Sequence, residues 1–332
     1  MTGTPLLQVT KPAETGDGGL TLSALMHDEM FFLPAFLDHY RALGVTHFAL
    51  LDDASTDGSR DYAAAQPDVT LLESPHRYGD MLPGPDGRQE KAKMLWRREL
   101  LARWGSDRWT LHLDLDEFVD LPDGLDLPAL SERLEAGGHD TAYGAMVDLY
   151  PEKLNDLNEM EGDLRSLLDW PWFFDAVPHV VPQPFGPPVE VYGGTRGRLT
   201  LQYALPHKPI PIGRRLTGLI WGNTAPYLHR LRKAVLLKWS PKRTMRNEHT
   251  IRPARTARMI LPIRHYKFTP ALSAKIDFAL ASGAYAKNSG QYKVFDDLLD
   301  VISEQGGSFL GEMSRPYTGF EGFKAAGIAR GF

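Results

Sequence analysis

Two carboxylates separated by one apolar residue, Asp114-Leu115-Asp116, follow the apolar run that begins WTLHL. At the end of a strand, the i, i+2 spacing turns both carboxylates to one side and drives Leu115 into the core. Oxygen ligands placed this way suit Mg²⁺ or Mn²⁺, hard ions that keep waters and bind ligand phosphates. A lone D-x-D carries little weight, because acidic pairs flank many strands. Here two more acidic clusters follow apolar runs: His27-Asp28-Glu29 after LTLSALM, and Asp52-Asp53-Ala54-Ser55-Thr56-Asp57-Gly58 after THFALL. Three acidic strand ends on one sheet edge repel one another unless a cation or hydrogen-bond donors lie between them. Helix capping by Asp57 or Ser55 accounts for one polar residue per loop, not for several.

The elements that must position these clusters can be read upstream of each. Leu20–Met26, Thr46–Leu51, Val69–Leu72 and Trp109–Leu113 are short apolar runs of the buried-strand type. Phe32, Phe36, Tyr40 and Leu43 recur at helical spacing, and Gly44 stands where a helix would close. Ala92, Leu95, Trp96, Leu100 and Trp104 mark a second helix ahead of Gly105. Strand–helix alternation predicts an α/β fold with a mostly parallel, Rossmann-like sheet flanked by helices. Ligands of such sheets sit outside the carboxyl ends of the strands.

The expected organisation is one continuous domain. Residues 1–19 read as a flexible N-terminus and 20–137 as the strand–helix half with the acidic strand ends. Residues 138–270 read as a second half of the same domain, in which 139–230, rich in Pro, Gly and aromatics without clear period, read as irregular strands and loops. Residues 271–332 read as a C-terminal helical extension, from Leu272, Ile276, Ala279 and Leu280 and then Tyr292, Phe295, Leu298, Leu299 and Ile302.

Composition narrows the classes. The chain has 332 residues, 42% hydrophobic and 24% charged, enough for a sizeable globular core. The absence of cysteine excludes disulfides, thiolate metal sites and a cysteine nucleophile. No apolar run approaches the ~18 residues of a membrane span. The N-terminal sequence lacks a charged-then-apolar leader pattern, so the expected location is cytoplasmic. Charge is strongly segregated. Seventeen Lys and Arg but a single acidic residue, Glu248, lie between Arg196 and Lys267, while the formal net charge of the whole chain is −5. Mutual attraction of the two parts is one reading. The other is an anionic partner: an acidic glycan, a lipid-diphosphate-linked acceptor, or peripheral contact with the inner face of an anionic membrane. No nucleic acid is expected.

The segments LSALMHDEMFFLPAFLDHYRALGVTHFALLDDASTDGSRDYAA and GRQEKAKMLWRRELLARWGSDRWTLHLDLDEFVDLP resemble the nucleotide-binding half of family-2-type glycosyltransferases of the GT-A fold. The similarity is to the bacterial branch with a DxDEF motif and a C-terminal HYKF-like motif, often found in surface-polysaccharide loci. It covers roughly residues 20–120, with a looser match through Gly193-Gly194-Thr195-Arg196 and LPIRHYKF at 261–268.

The resemblance implies metal-dependent transfer of a sugar from a nucleoside-diphosphate donor, UDP foremost, to a glycan or lipid-linked acceptor, with inversion. It implies that Met26, His27 and Glu29 contact the nucleoside. Asp53 would accept from uracil N3–H or the ribose, as an ionised carboxylate can only accept. Asp116 would bind Mn²⁺ or Mg²⁺ directly, Asp114 would reach the ribose or a metal-bound water, and His265 would close the metal site as a neutral imidazole. Arg88 and Lys91, read as opening the helix before the D-x-D strand, are candidates for the diphosphate or for a solvated helix face. The family's base lies between the Gly-rich loop and the C-terminal histidine. Glu248 and His249 fall in that interval, with Asp175, after WPWFF, as the rival; a structural ion pair is the other reading of Glu248.

Three other classes compete. A sugar nucleotidyltransferase would need a Gly-rich basic loop after the first strand, where this chain has HDEMFF. A haloacid-type phosphatase would need its D-x-D on an early strand. A carbohydrate- or anion-binding module could use the basic segment and Trp170, Trp172, Phe173 and Trp239, but would not need the acidic strand ends.

Overall fold

The computed structural model describes residues 6–176, 179–182, 189–205, 230–247, 249–282 and 290–332. Among them one sheet is built from β1 (Gln8–Lys11), β2 (Thr21–Met26), β3 (His47–Asp52), β4 (Val69–Glu73), β5 (Trp109–His112), β6 (Glu117–Val119), β7 (Thr141–Asp148), β8 (Arg232–Lys238) and β9 (Thr256–His265). The spatial order is β1-β4-β3-β2-β5-β8-β7-β9-β6. Strands β4, β3, β2 and β5 are parallel neighbours, and β7 and β9 are parallel to each other. β8 lies antiparallel between β5 and β7, and β1 and β6 are antiparallel at the edges. Six of the nine strands therefore point one way, and the expected mixed α/β architecture with a mostly parallel sheet and flanking helices holds.

The helices used below are α1 (Leu33–Ala42), α2 (Ala92–Trp104), α3 (Leu127–Ala136), α4 (Thr195–Gln202), α5 (Ala271–Ser282) and α6 (Gly290–Glu304). α1 starts with Pro34 in its first turn, where a missing N–H costs nothing. It ends at Gly44, whose φ of 91° lets the Val45 N–H donate back to the Tyr40 carbonyl. Its Leu33, Phe36, Leu37 and Tyr40 are buried on the sheet, at about 1.5–3 kcal/mol for each large apolar side chain withdrawn from water.

Three features depart from the sequence reading. β1 pairs with β4, so an edge strand stands within the segment expected to be a flexible N-terminus. β7, wholly buried, lies in the stretch expected to be irregular. A Cβ on Gly144 within it would come 2.5 Å from Ile263 Cδ1, so the glycine serves close strand packing. The C-terminal segment is helical in α5 and α6 but also folds back onto the domain. Ser314–Pro316 pairs with Phe173–Asp175, and the Ile260 N–H donates to the Arg330 carbonyl at 3.0 Å.

Candidate functional site

A cavity of about 390 Å³ lies at the carboxyl ends of the parallel strands. Met26 ends β2, Asp53 follows β3, Asp114 and Asp116 follow β5, and His265 ends β9; all five line it. Six strands pointing one way bring these distant residues to one edge.

The first two acidic loops are stitched together, which explains most of their carboxylates. Asp28 Oδ1 accepts from the Thr56 N–H at 2.5 Å and the Asp57 N–H at 3.3 Å. Asp57 accepts from the Met30 N–H at 2.8 Å and the Ser59 N–H at 2.9 Å, while the Glu29 N–H donates to Ser59 Oγ at 2.9 Å. Asp52 is held by Arg60 at 3.2 Å. That leaves Glu29 and Asp53 for the cavity. Asp53 accepts from the Tyr78 N–H at 3.1 Å, has Arg77 3.5 Å away, and burial pushes its pKa up. His27 Nδ1 lies 2.7 Å from the Asp53 carbonyl oxygen, and its ring packs on Phe278 of α5 with centroids 4.3 Å apart. Asp28 and Ala54, at φ 51° and 55°, hold the left-handed conformation, one in each loop.

The D-x-D pair is neutralised by side chains of the chain itself. Asp114 accepts from Arg97 at 2.6 Å through one oxygen and from Lys233 at 2.9 Å through the other. Burial raises the Asp114 pKa, but Arg97 and Lys233 outweigh it and hold the carboxylate well below its ordinary range. Lys233, fully buried on β8, also donates to Glu117 at 2.5 Å. Asp116 faces Lys275 of α5 at 3.4 Å and His265 Nε2 at 3.6 Å. Burial opposes its ionisation, yet Lys275 and His265 prevail and drive its pKa far down.

His265 is locked between two acids, with Nδ1 2.5 Å from Asp148 Oδ1. Burial favours the neutral ring; Asp116 and Asp148 overcome it and raise the pKa to about 9. The expected neutral imidazole is thus an imidazolium, because a carboxylate stands at each nitrogen. Lys275 Nζ reaches Glu29 Oε2 at 3.0 Å as well as Asp116. Burial, the largest influence on Glu29, lifts its pKa to about 7 against the pull of Lys275.

Met26, His27, Glu29, Asp53, Asp114, Asp116 and His265 are thus brought together, but not as a set that fits a divalent ion. Both Asp114 oxygens are engaged, His265 Nδ1 is held by Asp148, and Lys275 occupies the position between Glu29 and Asp116 where an ion would be shared. Among the described residues no group of three or more His, Asp or Glu side chains is placed to hold a metal.

Of the candidate bases, His249 lines the cavity. Glu248 lies outside the described residues. Asp175 does not line the cavity: Arg198 donates to it at 2.8 Å and the Tyr150 hydroxyl at 2.5 Å, so it braces α4 and the C-terminal segment. Arg88 and Lys91 also lie off the cavity. They belong to a hairpin (Met81–Pro83 with Gln89–Lys91) that precedes α2, and Arg88 is 86% exposed. The α2 cations that reach the cavity are Lys93 and Arg97. Their i, i+4 spacing was a readable signal, whereas nothing local marked Lys233, Lys275 or Asp148.

The segregated charge is answered in part within the fold. Arg196 pairs with Asp148, Arg198 with Asp175, Lys233 with Asp114 and Glu117, Lys238 with Glu135, Arg243 and Arg255 with Asp140, and Arg264 with Asp120. Lys208, Arg214 and Arg215 lie outside the described residues. Among the described residues no helix is long and apolar enough to cross a membrane.

No family model matches the chain, and no curated protein matches it. A solved structure that does match is that of UTP-bound UGPase from Acinetobacter baumannii, 12% identical over 92% of this chain and 91% of that chain. The TM-score is 0.27, and at that value the likeness says nothing of this chain's activity.

Proposed function

We propose that the chain transfers a sugar from a nucleoside-diphosphate donor, with UDP as the carrier, to a hydroxyl of a glycan or lipid-linked acceptor, inverting the anomeric centre. One observation carries the reading: a cavity at the carboxyl ends of the parallel strands joins an acceptor carboxylate, Asp53, to a wall of cations facing the D-x-D pair. Such a cavity offers a nucleoside edge that carries a hydrogen-bond donor and an anionic diphosphate their complements side by side.

In this reading Asp53 accepts from the uracil or ribose. The bond between the anomeric carbon and the diphosphate oxygen breaks, and its electron pair stays with the diphosphate. Fixed cations stabilise the charge that develops there. The acceptor oxygen forms the new bond while its proton passes to His249 as general base. No step is routed through a divalent ion, because the expected ligands are already held by Arg97, Lys233 and Lys275. A nucleotidyltransferase is less well supported: the loop after β2 is acidic, lacks glycine, and is spent on stitching to the next loop.

Calorimetric titration with UDP tests the nucleoside assignment. The wild type should bind, and Asp53→Ala should bind at least about tenfold more weakly, the cost of ~1.4 kcal/mol for one lost charged hydrogen bond. Equal affinities would leave Asp53 a turn-former only.

A further inference from the structure

Resting on that reading, we propose that the donor's diphosphate is bound directly by Lys267, Arg196 and Lys275, which take the place of the divalent ion expected from the D-x-D motif. Lys267 and Arg196 approach the same ring, Phe295 of α6: Lys267 Nζ lies 5.5 Å and Arg196 Cζ 5.7 Å from its centroid. Both line the cavity, as does Lys275. Arg196 and Lys275 each have a carboxylate, Asp148 at 3.4 Å and Glu29 at 3.0 Å. Lys267 rests on the faces of Tyr292 and Phe295, and no carboxylate of the described residues lies within ion-pair distance of it. A cation on aromatic faces retains most of its charge for an incoming anion.

Charge arithmetic points the same way. Around the D-x-D pair the carboxylates already have Arg97, Lys233 and Lys275 against them. A divalent ion would have to displace the Lys275 ammonium from Asp116 and Glu29, exchanging one cation for another while stranding a half-buried lysine. A diphosphate needs no displacement. It meets Lys267, which feels Asp116 and Asp148 only from beyond ion-pair distance, and shares Arg196 and Lys275 with their carboxylates. Aromatic support and burial hold these groups in place before the ligand arrives, which is what transition-state charge stabilisation requires.

The test is calorimetry of the whole chain with UDP, first in EDTA and then with Mn²⁺ in excess. The expected result is binding in EDTA, with Mn²⁺ changing the affinity less than about threefold. Lys267→Met should weaken UDP binding in EDTA at least tenfold while Lys267→Arg retains it; thermal unfolding checks that both variants fold, and Lys267→Gln replaces the Met variant if it does not. Binding of UDP that appears only with Mn²⁺, or wild-type affinity in the Met or Gln variant, would overturn the proposal while leaving the transferase reading standing. No binding of UDP or GDP in either condition would overturn both.

Discussion

Lys233 Nζ lies 2.9 Å from Asp114 Oδ2, at the end of a lysine side chain with no solvent exposure. The ammonium on the antiparallel strand β8 thereby fixes the first carboxylate of a motif that follows β5, and Glu117 at 2.5 Å completes the pair. An acidic strand end that looks from its sequence like a cation-binding site is partly a buried ion-pair network. Taking one member away leaves the others charged in a poorly solvated place.

Lys233→Met should therefore destabilise the fold by roughly 3–5 kcal/mol, the usual cost of an orphaned buried charge. Chemical denaturation checks this, with Lys233→Met combined with Glu117→Gln expected to recover part of the loss. A single variant within about 0.5 kcal/mol of wild type would show that the network does not hold this corner of the sheet.

His265 gives a pH signature. Its pKa is raised from 6.5 to about 9 in the fold, so the stability it contributes is complete below pH 6.5 and is lost as pH rises through 9. The interval corresponds to something on the order of 3 kcal/mol. Between pH 6.5 and 9.5 the wild type should lose stability relative to His265→Gln, measured by urea denaturation at each pH. Parallel profiles would mean that Asp116 and Asp148 do not hold an imidazolium there.

His249 is the base candidate that reaches the cavity. Replacing it with Ala should lower kcat by ~10²–10⁴ at saturating donor with donor affinity little changed. A variant that keeps wild-type kcat would move the proton to another group, and Glu29, whose carboxyl titrates near 7, would be the next to replace.

The parallel half of the sheet and its acidic edge were legible because each strand is a short apolar run closed by a polar cluster, and each helix between them keeps its period. β2 to β5, α1 and α2 lie within a residue or two of where the pattern puts them. β7 escaped notice because a strand buried along its whole length shows no polar–apolar alternation, and it opens a segment rich in Pro, Gly and aromatics. In the site, the carboxylates were visible and their partners were not. Lys233 and Lys275 stand 119 and 159 residues from the acids they neutralise, a relation made by sheet order and by the return of α5 over the cavity. Residue spacing along a chain encodes faces of an element; it does not encode which distant cation will be folded against them.

The central claim is sugar transfer from an intact nucleoside diphosphate, and the nucleotide released reports on it most directly. Each of a panel of UDP- and GDP-sugars is incubated with the protein and candidate glycan acceptors, with and without pyrophosphate, and the nucleotide products are separated by ion-exchange chromatography. The account predicts release of the nucleoside diphosphate, independent of pyrophosphate and reduced in Asp53→Ala at sub-saturating donor. Formation of the nucleoside triphosphate only when pyrophosphate is added would contradict it, since that product comes from cleavage within the diphosphate and not at the anomeric carbon.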